Sequence, residues 1–312
     1  MTDKPEFKTS MIFEYGQPAG MAPGVVRLVA NNPGSFTFKG TNTYLVGSTS
    51  LAVIDPGPED EPHLAAILSA AGNRPITHIF ITHRHRDHVD GCPALAKATG
   101  AITLAAPRPN PPSQSENNPT PSGEGFVAFD FEPDVSLADG DTISGEDWGI
   151  EAVTTPGHAP DHLCFALNGQ EVLFSGDHVM AWNTTVVAPP EGRMADYMLS
   201  LERLQYRKER LYLPGHGGRI EKGRRTTKAY LLHRKWREQA ILSLIREEQT
   251  TVRDIVGKIY KDLHKDLYTA AALSVRAHVE HLIEKSLVTE DGDDSPVSFD
   301  NALFAVSPAS CV

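Results

Sequence analysis

Short runs of apolar and β-branched residues recur along this chain, each cut off by a turn. Residues 25–30, 42–46 and 51–54 read as strands, the third stopped by Asp55-Pro56-Gly57-Pro58. The rhythm then changes. Glu59-Asp60-Glu61-Pro62 heads a helix that runs to about Ala71 and is closed by Gly72. Acids and proline suit a helix N-terminus, and glycine suits its end. Ile79-Phe80-Ile81-Thr82 is a buried strand, and a helix follows over about 90–99, stopped by Gly100. Strand, helix, strand, helix predicts an α/β fold.

The pattern then weakens and returns. Residues 1–24 are rich in Pro and Gly and are expected on the surface. Residues 105–125 form a proline-rich insertion with almost nothing to bury, which reads as a long surface loop. Strands resume at 126–131, 135–137, 150–154, 163–167 and 172–175, then a helix over 194–207 and a last strand at 211–213. Beyond Gly218 the chain changes character. A long helix over 222–248 is dense in Arg and Lys. Thr251 and Asp254 look like a capping start for a helix to about Tyr260, and another helix covers 270–285. Short strands at 287–289 and 302–306 complete a helix, helix, strand, turn, strand order, as in a winged-helix unit. Two domains are expected, 1–220 and a helical, winged-helix-like 221–312.

Composition narrows the function classes. The chain has 312 residues, 40% of them hydrophobic, which permits an ordinary core. Its net charge of -11 is uneven. Residues 1–218 carry 14 basic and 26 acidic residues, residues 219–290 carry 15 and 10, and the tail 291–312 is acidic. Wholesale polyanion binding is disfavoured, while the basic segment leaves local binding open. Cys92, Cys164 and Cys311 make no disulfide framework. The N-terminus lacks the apolar core of a signal peptide, and no run of about 18 apolar residues offers a membrane span. A cytoplasmic protein without membrane partners is expected; its oligomeric state is left open.

The chemistry sits where strands end. Thr82 is followed by His83-Arg84-His85-Arg86-Asp87-His88, four potential ligands in six residues. Neutral imidazole and carboxylate suit Zn, Fe or Mn. Side chains two apart on an extended segment share one side, so His83 and His85 can grip one ion. Asp87 and His88, past the turn, can reach a second. Asp55 closes a strand, His158 sits in Thr155-Pro156-Gly157-His158, Asp177 in Phe174-Ser175-Gly176-Asp177, and His216 in Leu213-Pro214-Gly215-His216-Gly217. Glycine before the presented residue allows a sharp turn. His162 is a candidate to touch substrate or donate a proton. His178 reads as structural, as do His63, His78, His233, His264, His278 and His281, which have no ligand-like context.

These five motifs over about 25–218 resemble the metallo-β-lactamase fold superfamily. The resemblance implies an αββα sandwich with the site at one edge, between two halves. It also implies that one metal takes His83, His85 and His158, a second takes Asp87, His88 and His216, Asp177 bridges both, and Asp55 supports the site without being a ligand. Two divalent cations about 3.5–4 Å apart can share a water and lower its pKa towards neutrality. Asp87 is then the expected proton acceptor. Two divalent ions are implied, zinc first, with manganese or iron as alternatives.

Gly40-Thr41-Asn42-Thr43-Tyr44-Leu45-Val46-Gly47, Leu213-Pro214-Gly215-His216-Gly217 and His233-Arg234-Lys235-Trp236-Arg237-Glu238 narrow the likeness. They resemble the β-lactamase-like protein 2 group, which includes single-strand-cleaving endoribonucleases and fungal thioesterases that release polyketides from a carrier protein. A hydrolase of a thioester, ester or related acyl substrate is therefore expected, small or carried on a protein. The alternative is a metallo-endoribonuclease that holds RNA through the basic helix 222–237, with its seven Lys or Arg residues. The proline-rich insertion and the acidic turn Asp291-Gly292-Asp293-Asp294 depart from the pattern. That turn would repel a phosphate backbone. A nucleic-acid-binding protein with a vestigial site would not need all seven ligand positions filled.

Overall fold

The computed structural model describes residues 5–109, 127, 130–248, 250–261, 267–291 and 303–307. Among them the first half of the chain builds one sheet from β1 (Ala19–Ala22), β2 (Val25–Val29), β3 (Asn42–Val46), β4 (Leu51–Ile54), β5 (Ile76–Phe80), β6 (Ile102–Ala105) and β7 (Val135–Ser136), in that order. β1 to β4 pair antiparallel; from β4 onward the strands run parallel. Helices α1 (Glu61–Ala71), α2 (Arg86–Val89) and α3 (Cys92–Thr99) provide the crossovers. A second sheet has the order β12-β11-β10-β9-β8. Its strands are β8 (Thr142–Ser144), β9 (Gly149–Thr154), β10 (Leu163–Leu167), β11 (Val172–Gly176) and β12 (Leu211–Pro214), and only the β11–β12 pair is parallel. Helix α4 (Met194–Gln205) is the crossover between those two.

Packing follows from which faces are apolar. β3, β4, β10 and β11 are buried along their whole length, so both faces need a cover. One face of each sheet meets the other sheet, with Tyr44, Ile54, Phe80 and Leu104 against Ile150, Phe165, Phe174 and Leu213. The opposite face of the first sheet takes α1, α2 and α3 through Ile67, Val89 and Leu95. That of the second takes α4 and the long α5 (Gly223–Glu247) through Tyr197, Leu201, Leu204, Tyr230 and Leu231. The layers are thus αββα. Fully burying a side chain such as Phe165 contributes roughly 1.5–3 kcal/mol.

The end of α5 belongs to a different core. Ile241, Leu242 and Ile245 pack with Val252 and Ile255 of α6 (Val252–Ile259), Val275 and Val279 of α7 (Tyr268–Glu284), and Phe304. A small sheet, β13 (Thr250–Thr251), β15 (Leu303–Val306) and β14 (Val288–Asp291), closes this winged-helix unit. Thr251 and Asp254 form the expected capping box on α6. α5 is therefore shared: its first half covers the sandwich and its second half forms the winged-helix core.

Several local expectations shift. The helix expected over 90–99 begins at Cys92, with Pro93 in its first turn, and a separate single turn, α2, precedes it over Arg86–Val89. β1, within the segment expected on the surface, pairs with β2. Val127 bridges to His85, whereas Phe126, Ala128 and Phe129 of the expected strand 126–131 lie outside the described residues, as does most of the proline-rich insertion. Gly292, Asp293 and Asp294 of the acidic turn also lie outside them. No helix among the described residues is long and apolar enough to cross a membrane.

Candidate metal centre

Strand ends deliver the site. Asp55 follows β4, His83 follows β5, His158 and His162 flank the turn after β9, Asp177 follows β11 and His216 follows β12. Parallel neighbours place their C-terminal ends together, so residues far apart in sequence meet at one edge of the sandwich. Asn42 joins the sheets beside it, donating through Nδ2 to Pro214 O at 2.8 Å and Gly217 O at 2.9 Å.

Between β5 and α2 the backbone is extended, so His83 and His85 point the same way. His83 Nε2 lies 2.9 Å from His85 Nδ1, and His158 Nε2 lies 3.1 Å from that same Nδ1. An ion bonded to imidazole at about 2.0–2.1 Å has tetrahedral ligand edges of about 3.3 Å, close to these separations. The single turn of α2 then presents Asp87 and His88. His216 Nε2 is 3.3 Å from His88 Nε2 and 3.2 Å from Asp87 Oδ2. Asp177 stands between the two groups. Its Oδ2 is 3.3 Å from His216 Nε2 and 3.8 Å from His158 Nε2, and its Oδ1 is 3.6 Å from His88 Nε2. His83 with His85 and His158, and Asp87 with His88 and His216, each present converging ligand atoms able to hold an ion, and Asp177 forms a third such group with His83 and His88.

The partners of the outer ring nitrogens show which ring atoms face inward. His158 Nδ1 faces Val186 O at 2.7 Å, His216 Nδ1 faces Gly40 O at 3.2 Å, and His88 Nδ1 faces Asp55 Oδ2 at 2.8 Å. Carbonyls and carboxylates only accept, so each Nδ1 donates and each neutral Nε2 keeps its lone pair. The Nε2 atoms, which carry a lone pair whenever the rings are neutral, thus converge on two carboxylates, and buried Asp177 Oδ1 has no hydrogen-bond partner. This donor set fits a cation.

The electrostatics agree. Burial, then the neighbouring His88, His85 and His158 rings, hold His83 well below the usual imidazole range. Burial first and His85 second bring His158 down to about 4. At His216 burial also opposes the charge, but Asp177 and Asp87 outweigh it and raise the group to about 9. Burial would raise Asp177, yet His216 and His88 hold it well below the usual carboxylate range. Carboxylates that draw protons onto these rings would draw a cation, and the two compete.

Asp55 organises this half of the site. Its Oδ1 accepts from Thr82 N at 2.8 Å, and its Oδ2 accepts from Thr82 Oγ1 at 2.7 Å as well as from His88. Thr41, Thr82 and Glu191 are contributors that motif reading passed over. Thr41 Oγ1 donates to Asp87 Oδ2 at 3.2 Å, and Glu191 Oε2 lies 3.6 Å from His85 Nε2. Thr41 and Thr82 lie inside the quoted motifs, but nothing in the sequence marks Glu191.

His162, the candidate to touch substrate or donate a proton, has both ring nitrogens engaged within the protein. It is wholly buried, its Nδ1 lies 2.9 Å from Thr155 Oγ1, and its Nε2 accepts from Asp177 N at 3.1 Å. Neither nitrogen is left for a substrate; the ring holds the Asp177 backbone. His178 is also buried and packs on Tyr197, with ring centroids 4.6 Å apart, while His264 lies outside the described residues.

A Cβ at Gly215 would stand 2.5 Å from Asp177 Oδ1 and 2.6 Å from His88 Cε1. Gly215→Ala is therefore expected to push a methyl group into the donor set. Thermal unfolding should show a loss of about 1–3 kcal/mol from overpacking, and metal analysis should show fewer ions per chain than wild type.

Beside His85 lies a cavity of about 200 Å³, lined among others by Arg84, Val127, Gly157, Pro190, Glu191 and Arg193. Its cations are both paired, Arg84 with Asp161 at 2.8 Å and Arg193 with Asp196 at 2.7 Å and Glu284 at 3.0 Å. The basic helix is partly committed too. Arg234 is buried and donates to Thr185 O, Lys235 pairs with Glu202, and Arg237 lies over the Tyr260 ring.

Comparison with known proteins bears on this site. Residues 36–216 match the Metallo-beta-lactamase superfamily, and residues 251–295 match the Beta-lactamase associated winged helix domain. A Drosophila melanogaster "Beta-lactamase-like protein 2 homolog" is 32% identical, over 84% of this chain and 88% of its own length. The chain belongs to the metallo-β-lactamase superfamily. It is a hydrolase of that fold. An "Atrochrysone carboxyl ACP thioesterase" of Aspergillus fumigatus is 33% identical, over 76% of this chain and 70% of its own. Among solved structures, a beta-lactamase domain protein from Burkholderia ambifaria superposes with a TM-score of 0.79 over 95% of each chain, at 20% identity.

Proposed function

We propose that this hydrolase cleaves an acyl thioester or ester, with an acyl chain carried on a protein as the candidate substrate. In this reading His83, His85 and His158 hold one divalent ion, Asp87, His88 and His216 hold a second, and Asp177 bridges them. Zinc is the first candidate for both; iron, which also takes imidazole, and manganese, which favours the carboxylates, are the alternatives. The cavity beside His85 carries the choice of substrate. A phosphodiester backbone needs unneutralised cations to hold it, and both of the cavity's arginines are already bound to carboxylates. Its apolar and proline wall suits an uncharged acyl or amide-bearing arm. The Aspergillus relative's name supports the same class.

When bound, divalent ions supply Lewis acidity, making a water acidic and polarising a carbonyl. The protein's part is placement and proton transfer. The Asp87 side chain is 22% exposed whereas that of Asp177 is 9% exposed, so Asp87 is the carboxylate that faces the opening and would receive the water's proton. Thr41 and His216 fix its Oδ2 while this happens. A thiolate leaves without needing a proton, so the absence of His162 from the open face is no obstacle.

The test loads the protein with zinc, manganese or iron and counts metals per chain. Turnover is then measured on a panel of acyl thioesters and on labelled single-stranded RNA. About two ions and thioester cleavage are expected, with RNA left intact. RNA cleavage that is abolished by high salt and by neutralising Arg224, Arg225 and Lys228 would overturn the acyl reading.

A further inference from the structure

Arg84 is one of the largest fully buried side chains of the protein, yet it lies between two histidines of the metal loop. Alternation along the extended segment explains how. His83 and His85 face the site, and Arg84 points the opposite way. Its guanidinium joins three segments. Nη1 donates to Asp161 Oδ2 at 2.8 Å, Nη2 to Ala106 O at 3.2 Å and Nε to Phe131 O at 3.3 Å, with Cζ 5.7 Å from the Phe131 ring centroid. The Arg84 and Asp161 side chains are 1% and 4% exposed.

Asp161 sits in the turn that carries His158. That turn is tight: Gly157 N and His162 N both donate to Ala159 O. A shift of Asp161 is therefore passed to His158, three residues away. We propose that the Arg84–Asp161 pair is a positioning device that sets the distance between His83 and His85, from one half of the sandwich, and His158, from the other. Those three nitrogens come from different sheets and no covalent link joins them. Asn42 and the Leu163 N–H, which donates to Thr82 O at 2.7 Å, also tie the halves together, but the buried charge pair with a forked donor fixes the direction of the His158 turn as well as its distance. The Phe131 and Ala106 carbonyls anchor the guanidinium so that Asp161 moves to it and not the reverse. Among the described residues, none of Asp87, His88 and His216 is a hydrogen-bond partner of the pair, so the larger effect is expected at the other donor group. This inference rests on the reading of His83, His85 and His158 as ligands.

The double variant Arg84→Met/Asp161→Leu tests it. Replacing a buried ion pair by apolar residues of similar volume is often neutral for stability, so a purely structural pair would be replaced without consequence for the metal. Crystals are equilibrated with limiting zinc, and anomalous peaks are compared at the two donor groups. The expected result is a melting temperature near wild type with the peak at His83, His85 and His158 weakened relative to the other, corresponding to about 10–100-fold lower affinity, the range for lost support of a ligand. An unchanged peak ratio would overturn the proposal. If the double variant does not fold, Arg84→Lys keeps the charge and loses the fork. The same weakening is then expected, and a wild-type ratio overturns the proposal. Wild-type protein with no zinc at either group would instead refute the ligand reading itself.

Discussion

Replacing Asp177 by Asn is expected to lower kcat/KM by at least about 10³-fold, some 4 kcal/mol of transition-state stabilisation. The carboxylate lies within reach of both donor sets, 3.3 Å from His216 and 3.8 Å from His158. Asparagine keeps the shape but removes the charge that offsets two cations, and it offers only one acceptor atom. Metal analysis should fall from about two ions towards one. The fold should survive. The backbone N–H of residue 177 would still donate to His162 Nε2, and its carbonyl would still accept from Thr185 Oγ1 at 2.6 Å. The measurements that check it are steady-state kinetics on a cleaved thioester, metal content and thermal unfolding of the same preparation. Full activity with one ion would remove the bridge from the reading. A collapse in melting temperature would show that buried Asp177 serves folding first.

The central strands were legible because burial on two faces leaves a plain signature, while their layering into a sandwich came from the family resemblance. β3, β4, β10 and β11 are near-continuous apolar runs, and their ends are marked by Gly, Pro or Asp. The winged-helix order was legible for a similar reason, with the Thr251–Asp254 cap visible as a local pattern. β1, β6 and β8 escaped notice. Each is three or four residues long, and β1 and β8 are partly exposed, so position in a sheet and not composition makes them strands. The division of α5 between two cores was also hidden. Its apolar positions are spread over one helix, and nothing local says that Tyr230 and Ile241 face different partners.

The candidate ligand positions were legible because each is presented by a turn directly after an apolar run, and turns of that kind have a vocabulary of their own. What surrounds them was not. His162 sits in the same Pro-Gly-His neighbourhood and has the same side chain as the ligand candidates. Only the direction of Nε2, towards the backbone of Asp177, separates the two roles. Arg84 could be read as a solvated residue in a charged loop, since its burial depends on Ala106, Phe131 and Asp161, all at least 22 residues away. Glu191 has no local mark because its relation to His85 exists only once the chain has folded.

Asp55→Asn is expected to remove the ion at Asp87, His88 and His216 through a change of tautomer. Asp55 accepts three hydrogen bonds and donates none, and its backbone at φ 51 lies in the left-handed region that Asp and Asn both tolerate. Backbone strain is therefore not at issue, as it would be for Asp55→Ala. Asparagine can keep its oxygen towards the Thr82 N–H, but its NH₂ then faces both Thr82 Oγ1 and His88 Nδ1. Two donors cannot share that contact at 2.8 Å, so the His88 proton moves to Nε2, the atom that faces the ion. A protonated Nε2 cannot be a ligand. Loss of support for a metal-binding histidine weakens affinity by about 10–100-fold, and the buried mismatch costs about 1–3 kcal/mol of stability. Metal titration and thermal unfolding check both. Nitrogen chemical shifts of His88 in chelator-treated protein separate the causes: a proton on Nε2 supports the tautomer argument, and an unchanged Nδ1–H with weakened metal binding would place the damage in the Thr82 loop.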